Sequence, residues 1–495
     1  MPSLTDSTFI GLDLGTSELK ALLIDAQQKT IATVGAKLTV QRPQPLWSEQ
    51  APADWWNALE DVMDQLSRQH PEALSRVAGI GLSGQMHGAV LLDGAHNVLR
   101  PAILWNDGRS GEECRELEVC VPLLSEITGN LAMPGFTAPK LLWVKAHEPA
   151  CFAQTRKVLL PKDWLRLKLT GEAVSEMSDA AGTLWLDTGR REWSSTMLRA
   201  CGLDETHMPR LVEGSEVSGY LLHEWTERWG MPKSVPVAGG AGDNAASAIG
   251  MGLVKPGDGF VSLGTSGVVF VCGDAYAPNP SQAVHAFCHA IPGCWHQMSV
   301  MLSAASAVSW ATRILGFEHE SELMSAASTI DDTSRALAPI FLPYLSGERS
   351  PLNNPLATGS WQGLTSQHAR ADLAYAVAEG VGFGLLDGMQ TLHSGQPLQA
   401  LSLVGGGARS DWWAQLLADT FDVQLNIHAG AETGAALGAA RLGYLAAGGD
   451  LEAVCYVPEV AKTYLPAANR QVTLQARYAR FKALRALVSP SYTQH

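Results

Sequence analysis

The fold is decided by a tetrapeptide that occurs twice, first as Leu14-Gly15-Thr16-Ser17 and again as Leu263-Gly264-Thr265-Ser266. Each copy stands between two short apolar runs, which is typical of two β-strands joined by a turn. Glycine lets the backbone approach a ligand closely, and such a turn offers N–H groups and hydroxyls to phosphate oxygens. The repeat therefore predicts a duplicated domain, with two turns that face each other across a cleft and hold a nucleotide. A chance repeat is the alternative, but the matched flanks and the half-chain spacing disfavour it.

The size and charge of the chain limit the classes of protein it can belong to. It has 495 residues, of which 46% are apolar, enough for two full hydrophobic cores. We place the boundary near residue 245, which gives an N-terminal domain of residues 1–245 and a C-terminal domain of residues 246–495. The net charge of −14 argues against nucleic acid or an anionic membrane as the main partner. A phosphate ligand is compatible with this charge because it needs only a locally favourable pocket.

The cysteines and the apolar stretches predict a cytoplasmic protein. The eight cysteines are scattered and include no Cys-x-x-Cys pair, a pattern that suits reduced thiols. The first residues have no basic segment of the kind that begins a signal peptide. The most apolar long stretch, residues 298–315, carries four serines and an arginine, so we expect no membrane span there.

Apolar runs and amphipathic segments alternate along both halves, which indicates an α/β fold with a strand meander at the start of each half. Residues 77–84 and 88–93 are predicted to be a pair of neighbouring strands. The other predicted strands are 9–13, 19–25, 30–40, 235–238, those on either side of the turn near 260–271, 284–289 and 401–404. The predicted helices are 53–68, 111–121, 139–147, 162–169, 303–315 and 370–392, with one that ends at Met251 and one that begins near Ser410.

Asp13 ends the first predicted strand, directly before the first Gly-Thr-Ser turn. A carboxylate at this point can hold hydrated Mg²⁺, directly or through water, against phosphate groups. An Asp that only caps the turn is the alternative. Lys20, on the following strand, is a candidate for reaching a phosphate.

Asp243 is the strongest candidate for a catalytic residue. It follows a strand and a turn of small residues, 239–242, and stands at the start of a predicted helix. The helix N-terminus should lower the pKa of its carboxyl group, so we expect it to be ionised at neutral pH. An ionised carboxylate is what the deprotonation of a sugar hydroxyl requires. The alternative is a helix cap without chemistry, and the small residues before Asp243, which leave room for a substrate, favour the catalytic interpretation.

Two further segments carry groups that suit a polar, sugar-like ligand. Residues 83–88 bring Ser83, Gln85 and His87 into one short turn, where they can bind hydroxyls, although a hairpin with a satisfied histidine is equally compatible. Trp105 stands beside polar residues in 104–109 and can form an aromatic wall, although a buried tryptophan is the commoner case.

A third glycine turn, Gly405-Gly406-Gly407, follows the apolar run 401–404 and leads into a predicted helix. Residues without side chains allow a flat base or ribose to approach the backbone. Two matches to the dinucleotide motif are rejected: 79–84 leads into a strand and not a helix, and the strand that follows 240–245 ends without an acidic residue for the ribose. The histidines and cysteines of residues 285–296 fit no standard zinc spacing, and their alternation with apolar residues favours a strand.

With these motifs, nearly the whole chain resembles the FGGY family of carbohydrate kinases, which has the actin/hexokinase-like (ribonuclease H-like) ATPase fold. Residues 11–17 resemble the first phosphate motif of the family, 264–266 the second and 405–408 the adenosine motif. Residues 359–364, with Asp372 and Glu379, resemble the C-terminal signature. Residues 135–143 resemble the N-terminal signature of the family. The chain departs from that signature only at Ala146, where a polar residue is expected.

Within the family, the chain is most similar to the kinases of D-xylulose. This likeness is carried by residues 83–88, 100–109, 160–163, 178–183 and 341–349. It implies that Asp243 is the general base, that Asp13 assists through Mg²⁺, and that the glycine turns hold ATP. The implied sugar-binding residues are Met86, His87, Trp105 and Asn244; the implied ATP- and phosphate-binding residues are Gly15, Thr16, Ser17, Lys20, Gly264, Thr265, Gly406, Gly407 and Asp411.

The expected activity is therefore the ATP-dependent phosphorylation of the terminal 5-hydroxyl of D-xylulose, in pentose catabolism. The first alternative is another FGGY kinase that acts on a different ketopentose, a pentitol or glycerol. The spacing of residues in the sequence does not resolve the configuration of a single hydroxyl group on the sugar. A chaperone or filament ATPase with the same nucleotide fold is the second, but no peptide-binding or polymer-forming module is visible. The resemblance alone makes a homodimer an option.

Overall fold

Residues 4–429 and 434–488 are described in the computed structural model of the protein, and their contacts divide them into two units. The first unit contains residues 4–254, 287–295 and 434–457, and the second contains residues 255–286, 296–429 and 458–488. Two short segments from the second half of the sequence thus belong to the first unit. The predicted domains, residues 1–245 and 246–495, stay a prediction.

The strands are short except in the two central sheets. In chain order they are β1 (Thr8–Leu14), β2 (Glu18–Asp25), β3 (Thr30–Lys37), β4 (Glu49–Gln50), β5 (Val77–Gly84), β6 (Val90–Leu92), β7 (Ala102–Ile103), β8 (Lys157–Leu159), β9 (Val174–Glu176), β10 (Leu186–Asp187), β11 (Glu192–Trp193), β12 (Arg210–Val212), β13 (Val217–Tyr220), β14 (Pro236–Ala238), β15 (Ala241–Gly242), β16 (Gly259–Leu263), β17 (Gly267–Gly273), β18 (His285–Cys288), β19 (Trp295–Met301), β20 (Ile340–Leu342), β21 (Ser360–Gln362), β22 (Ala400–Val404), β23 (Gln424–His428) and β24 (Val460–Tyr464).

The helices connect the strands and cover the sheets. They are α1 (Pro52–Gln69), α2 (Pro71–Leu74), α3 (Gly111–Cys120), α4 (Leu124–Thr128), α5 (Thr137–His147), α6 (Pro149–Gln154), α7 (Pro161–Thr170), α8 (Met177–Ala181), α9 (Ser195–Ala200), α10 (His223–Trp229), α11 (Asp243–Gly250), α12 (Ala305–Ile314), α13 (Glu320–Ser328), α14 (Asp332–Leu337), α15 (Arg370–Met389), α16 (Asp411–Phe421), α17 (Gly434–Ala446), α18 (Leu451–Val454) and α19 (Ala468–Val488), with 3₁₀ turns at Leu4–Asp6, Glu205–His207, Pro280–Gln282 and Gly406–Arg409.

The two central sheets share one plan, as the repeated tetrapeptide predicts. In the first, β1, β2 and β3 form an antiparallel meander, and β5 and then β14 lie parallel to β1 on its other side. In the second, β16 pairs antiparallel with β17, and β22 and then β23 lie parallel to β16. The predicted α/β fold of two duplicated actin/hexokinase-like domains is confirmed by this two-fold repetition.

One predicted strand pair is wrong. Residues 77–84 form β5 as expected, but β6 does not pair with it and instead pairs with β8. Both edges of β5 are already occupied, by β1 on one side and by β14 and β15 on the other. The chain after β5 must therefore leave the sheet, and the residues between β5 and β6 form a loop at its edge.

The core of the first unit is built on the apolar face of α1, whose buried residues include Trp55, Leu59 and Leu66. These side chains pack with Ile10 and Leu12 of β1 in one cluster. Burial of each such side chain contributes roughly 1.5–3 kcal/mol. The spacing of the apolar residues along α1 thus fixes the helix against the first sheet.

Helix α17 crosses the same sheet at very short range. A Cβ atom added to Gly11 of β1 would lie 1.9 Å from the carbonyl oxygen of Ala436, and one added to Gly81 of β5 would lie 1.8 Å from that of Ala439. Only glycine permits this approach. The Ala- and Gly-rich composition of α17 is explained by this contact, and the sequence prediction had not included the helix.

The second unit has its own core, centred on α15. This helix is buried along almost its whole length, from Ala374 to Met389, as is typical of a central helix. Its one buried glutamate, Glu379, accepts a 2.7 Å hydrogen bond from Nε of Arg477 on α19, so the charge is paired. The predicted strand over residues 284–289 is confirmed as β18.

Two predictions from composition can be compared with the structure. None of the eight cysteines, all of which lie within the described residues, forms a disulfide. Over residues 4–429 and 434–488, no helix combines the length and apolarity needed to span a membrane.

Candidate active site

Three strands of the first unit bring the predicted residues to one edge of the sheet. Strand β5 lies parallel to β1 and to β15, with Ser83 opposite Asp13 on one side and opposite Ala241 on the other. The carboxyl ends of parallel strands meet at the same edge, which is where α/β folds hold their ligands. Asp13, the loop after β5 and Asp243, directly after β15, therefore lie at one site.

Asp13 is half-buried and has a polar neighbour on each of the two flanking strands. Oγ of Ser83 donates a 2.5 Å hydrogen bond to its Oδ1, and Lys20 stands opposite it in the antiparallel pairing of β1 with β2. Burial raises the pKa of the Asp13 carboxyl group, while the bond from Ser83 and the charge of Lys20 oppose this rise. Lys20 thus lies close to the carboxylate of Asp13, next to the first Gly-Thr-Ser turn.

Asp243 is the first residue of α11, and Gly242 occupies the capping position before it. Its Oδ1 accepts hydrogen bonds from the backbone N–H of Asn244 at 2.7 Å and from Nδ2 of the same residue at 3.0 Å. Burial, followed by the charge of Asp13, raises the pKa of Asp243 to about 6. The predicted lowering of this pKa is wrong, because burial and the second carboxylate outweigh the hydrogen bonds at the helix start. The group is still mostly ionised at neutral pH.

A chain of hydrogen bonds links the first Gly-Thr-Ser turn to the loop after β5. Nε1 of Trp105 donates to Oγ1 of Thr16 at 3.0 Å, and this hydroxyl donates to Oε1 of Gln85 at 3.2 Å. Gln85 in turn donates to Oε1 of Gln50 at 3.0 Å. Trp105 is 48% exposed, so the alternative of a buried tryptophan does not apply.

Polar contacts hold both the ring and the backbone of His87. Its Nδ1 lies 2.6 Å from the carbonyl oxygen of Gly182, and its own carbonyl oxygen accepts a 2.8 Å hydrogen bond from Nζ of the buried Lys140. The ring packs edge-on against Phe136, with the centroids 4.6 Å apart. The ring of His87 therefore has the polar contact that the alternative interpretation of the sequence expected. The residue lies in a loop at the edge of the sheet, however, and not in a hairpin.

Met86 connects this loop to Asp243. A Cβ atom added to Gly242 would lie 2.9 Å from Sδ of Met86, so the methionine packs directly against the residue before Asp243. The structure thus brings Met86, His87, Asn244 and Asp243 together in the first unit. Sequence reasoning missed Gln50, because its contacts within the site, with Gln85 and Thr16, lie 35 and 34 residues away in the sequence.

The second unit holds the other two glycine turns at the edge of its own sheet. Ser262 of β16 lies opposite Val404 of β22 in a parallel pair, so both strands end at the same edge. A Cβ atom added to Gly407 would lie 2.7 Å from the ring of Trp413, and one added to Gly405, with φ of 94°, would lie 2.6 Å from the carbonyl oxygen of Leu263. The two turns therefore pack against each other through glycine.

A cavity of about 660 Å³ opens beside these turns. Its lining includes Gly264, Thr265, Gly406 and Gly407 from the predicted set, together with Met324 and Trp412, which the sequence had not singled out. Apolar side chains beside exposed backbone suit a flat, polar-edged ligand. Met324 and Trp412 come from separate helices, so no local pattern could have identified them.

Asp411 is placed differently from the other predicted ATP-binding residues. Its carboxylate accepts hydrogen bonds from Nζ of Lys462 at 2.7 and 2.9 Å and from the hydroxyl of Tyr464 at 2.7 Å. These contacts tie α16 to β24. A role for Asp411 in ATP binding stays a prediction.

The residues at the first site suit Mg²⁺ bound together with a nucleotide. No cluster of three or more metal-ligating side chains occurs within the described part of the chain. Mg²⁺ keeps several waters and usually takes only one or two carboxylates in addition to substrate phosphates. Asp13, which is held by Ser83 beside a glycine turn, provides such a carboxylate.

Comparisons with known protein families agree with this geometry. Residues 8–250 match the N-terminal domain of the FGGY family of carbohydrate kinases, and residues 259–447 match its C-terminal domain. The chain belongs to this family, and the protein is a sugar kinase.

The relatives narrow the likeness to one kind of sugar kinase. The chain is 51% identical to the xylulose kinase of Escherichia coli K12 over 479 residues, which cover 96% of this chain and 98% of that protein. It is 53% identical to the xylulose kinase of Klebsiella pneumoniae over 440 residues, which cover 88% and 90% of the two chains. Among solved structures, a xyloylose kinase from Brucella ovis superposes with a TM-score of 0.94 at 50% identity, over 97% of this chain and 99% of that one.

Proposed function

We propose that the protein transfers the γ-phosphoryl group of ATP to the 5-hydroxyl of D-xylulose, giving D-xylulose 5-phosphate and ADP. The observation that carries the proposal is the arrangement at the edge of the first sheet, where Asp13 lies at the end of β1, His87 follows β5 and Asp243 follows β15. Identities above 50% to two xylulose kinases support the choice of sugar.

Asp243 is proposed as the general base. Its pKa of about 6 leaves it ionised at neutral pH, while keeping it basic enough to accept a proton during the reaction. As the bond between the sugar oxygen and phosphorus forms, the hydroxyl proton passes to the carboxylate of Asp243. The bond from the γ-phosphorus to its bridging oxygen breaks, and ADP leaves. Positioning and electrostatic stabilisation supply most of the rate acceleration in such transfers.

The sugar would be bound by groups around this carboxylate. Asn244 has a side-chain amide beside Asp243, and Met86 packs against the preceding glycine. His87, which is held by its Nδ1 contact to Gly182, is proposed to contact a hydroxyl of the sugar. The exposed indole of Trp105 provides an apolar face, as is common at sugar sites.

The cavity of the second unit is proposed to hold ATP, with the base between Met324 and Trp412 and the phosphates near Gly264 and Thr265. In the first unit, Gly15, Thr16, Ser17 and Lys20 are proposed to contact the phosphates. Mg²⁺, when bound at Asp13, would neutralise phosphate charge. Gly406 offers a test, because a Cβ atom there would meet no atom within 4 Å. Gly406→Ala should therefore fold normally and weaken ADP binding, as measured by calorimetry.

The proposal is tested by a coupled assay of ADP release over a panel of sugars. We expect the highest kcat/KM with D-xylulose and lower values with other ketopentoses, pentitols and glycerol. Equal or higher kcat/KM with another sugar would overturn the choice of D-xylulose. ADP release that is independent of any sugar would support the filament or chaperone ATPase instead.

The absence of disulfides is compatible with the cytoplasmic location that we propose.

A further inference from the structure

Helix α8 and the residue directly after it contact both ends of the proposed sugar site. Near its start, Oγ of Ser178 accepts a 3.1 Å hydrogen bond from the backbone N–H of Gly242, the residue before Asp243. Directly after its end, the carbonyl oxygen of Gly182 lies 2.6 Å from Nδ1 of His87. One short helix therefore links the proposed base to a proposed sugar-binding residue.

The contact at the end of α8 is tight. A Cβ atom added to Gly182 would lie 2.7 Å from Nδ1 of His87 and 2.9 Å from Cε of Met86. Real Cβ atoms do not come so close to other atoms, so this position admits glycine alone without displacement of both side chains. The end of the helix thus sets the position of the loop after β5.

The start of α8 is anchored by a buried carboxylate. The side chain of Glu176 accepts hydrogen bonds from the backbone N–H of Ser178 at 2.7 Å and of Asp179 at 3.0 Å. Nζ of Lys162 lies 3.1 Å from Glu176 and 2.9 Å from Asp179, and all three side chains are fully buried. A buried charge cluster holds its members in one geometry, because movement would leave a charge unpaired.

The same cluster reaches the chain segment that leads to Asp243. Asp163 accepts hydrogen bonds from Lys162 at 2.9 Å and from Arg166 at 2.8 Å. Arg166 also donates to the carbonyl oxygen of Gly239, directly after β14. The cluster therefore holds α8 and the residues leading to Asp243 relative to each other.

We propose that α8 sets the distance between Asp243 and His87, and that Ser178 is a positioning residue that acts through Asp243. The inference rests on the proposed function, because it assigns Asp243 and His87 their roles. Ser178 is buried in the first unit. Its hydroxyl fixes Gly242, whose backbone leads directly into Asp243, so loss of the hydroxyl should misplace the carboxylate without unfolding the unit.

The test is Ser178→Ala, which removes the acceptor of the Gly242 N–H. We expect kcat with D-xylulose to fall about 10- to 100-fold, since a misplacement of about 1 Å can cost about 10²-fold. The Kd of D-xylulose, measured by calorimetry, should change less than about threefold, since the residue acts on the reacting geometry. In an Asp243→Ala background, Ser178→Ala should cause no further loss of the residual rate, measured at high enzyme concentration.

Ser194→Ala is the matched control. Its Oγ likewise accepts a backbone N–H bond, from Met197 at 3.4 Å at the start of α9 in the same unit, and we expect it to leave kcat unchanged. A wild-type kcat in Ser178→Ala would overturn the inference, as would a loss of D-xylulose binding as large as the loss of kcat. Wild-type turnover in Asp243→Ala would instead overturn the proposed function.

Discussion

Asp243 and Asp13 are electrostatically coupled at the edge of the first sheet: burial and then the charge of Asp13 raise the pKa of Asp243 to about 6. The pairing of β5 with both β1 and β15 brings the two carboxylates to this edge. Two acidic groups whose surroundings shift their pKa values are typical of sites that move protons.

Replacement of Asp243 tests the proposed base. Asp243→Ala should lower kcat for D-xylulose by at least about 10³-fold, because general base catalysis and positioning are lost together. ADP binding, measured by calorimetry, should be retained, since the cavity that is proposed to hold the nucleotide lies within the second unit. Turnover near the wild-type value would rule out the assignment.

The pH dependence of kcat/KM should report the same group. Below about pH 6 the rate should fall about tenfold per pH unit, because protonated Asp243 cannot accept the hydroxyl proton. Asp13→Asn removes a neighbouring negative charge, which favours ionisation of Asp243, so the residual activity should show an acid limb at lower pH. An acid limb that does not move would argue against coupling of the two groups.

Asp13 should also determine the response to Mg²⁺. Asp13→Ala removes the carboxylate that is proposed to hold the ion, so turnover should drop and the Mg²⁺ concentration for half-maximal rate should rise about tenfold. The measurement is a Mg²⁺ titration at fixed ATP. Lys29→Ala, in the exposed turn between β2 and β3, is a control that should leave the titration unchanged. An unchanged Mg²⁺ dependence in Asp13→Ala would remove the proposed role.

The raised pKa of Asp243 also predicts a cost in stability. The folded-state pKa lies above the ordinary value of 3.8, so the folded protein binds the proton more tightly, and stability falls as pH rises from about 3.8 through about 6. At pH 7.5, Asp243→Asn should therefore raise Tm by about 2 °C. The measurement is calorimetric melting of the wild type and of Asp243→Asn at pH 7.5 and at pH 4. The gain in Tm of the variant should be smaller at the lower pH. A lower Tm at pH 7.5 would contradict this account.

The close crossing of α17 over the first sheet can be tested by a substitution that adds one methyl group. Gly81→Ala would place Cβ 1.8 Å from the carbonyl oxygen of Ala439, so α17 or β5 must move, and we expect a loss of about 3 kcal/mol in the free energy of unfolding. Gly111→Ala is the control, because a Cβ there meets no atom within 4 Å. Denaturant unfolding compares the two variants, and equal stabilities would show that the crossing tolerates a side chain.

The sequence allowed much of the fold to be predicted where local pattern decides structure. The meander of β1 to β3 and the helix α1 follow from apolar periodicity, and both appear as predicted within a few residues. The partner of β6 could not be predicted this way, since pairing depends on which strand edges remain open. Helix α17 was missed because its small residues serve a long-range crossing and carry little periodicity.

The sequence by itself determined the duplicated plan, the glycine turns and the candidate carboxylates, because each is written in a short stretch of adjacent residues. Only the tertiary structure decided that the pKa of Asp243 is raised, because its burial depends on packing and the charge that acts on it, that of Asp13, stands 230 positions earlier in the chain. It also decided the link from Ser178 to Gly242 and from Gly182 to His87. Contacts between residues far apart in the sequence exist only once the sheet has formed.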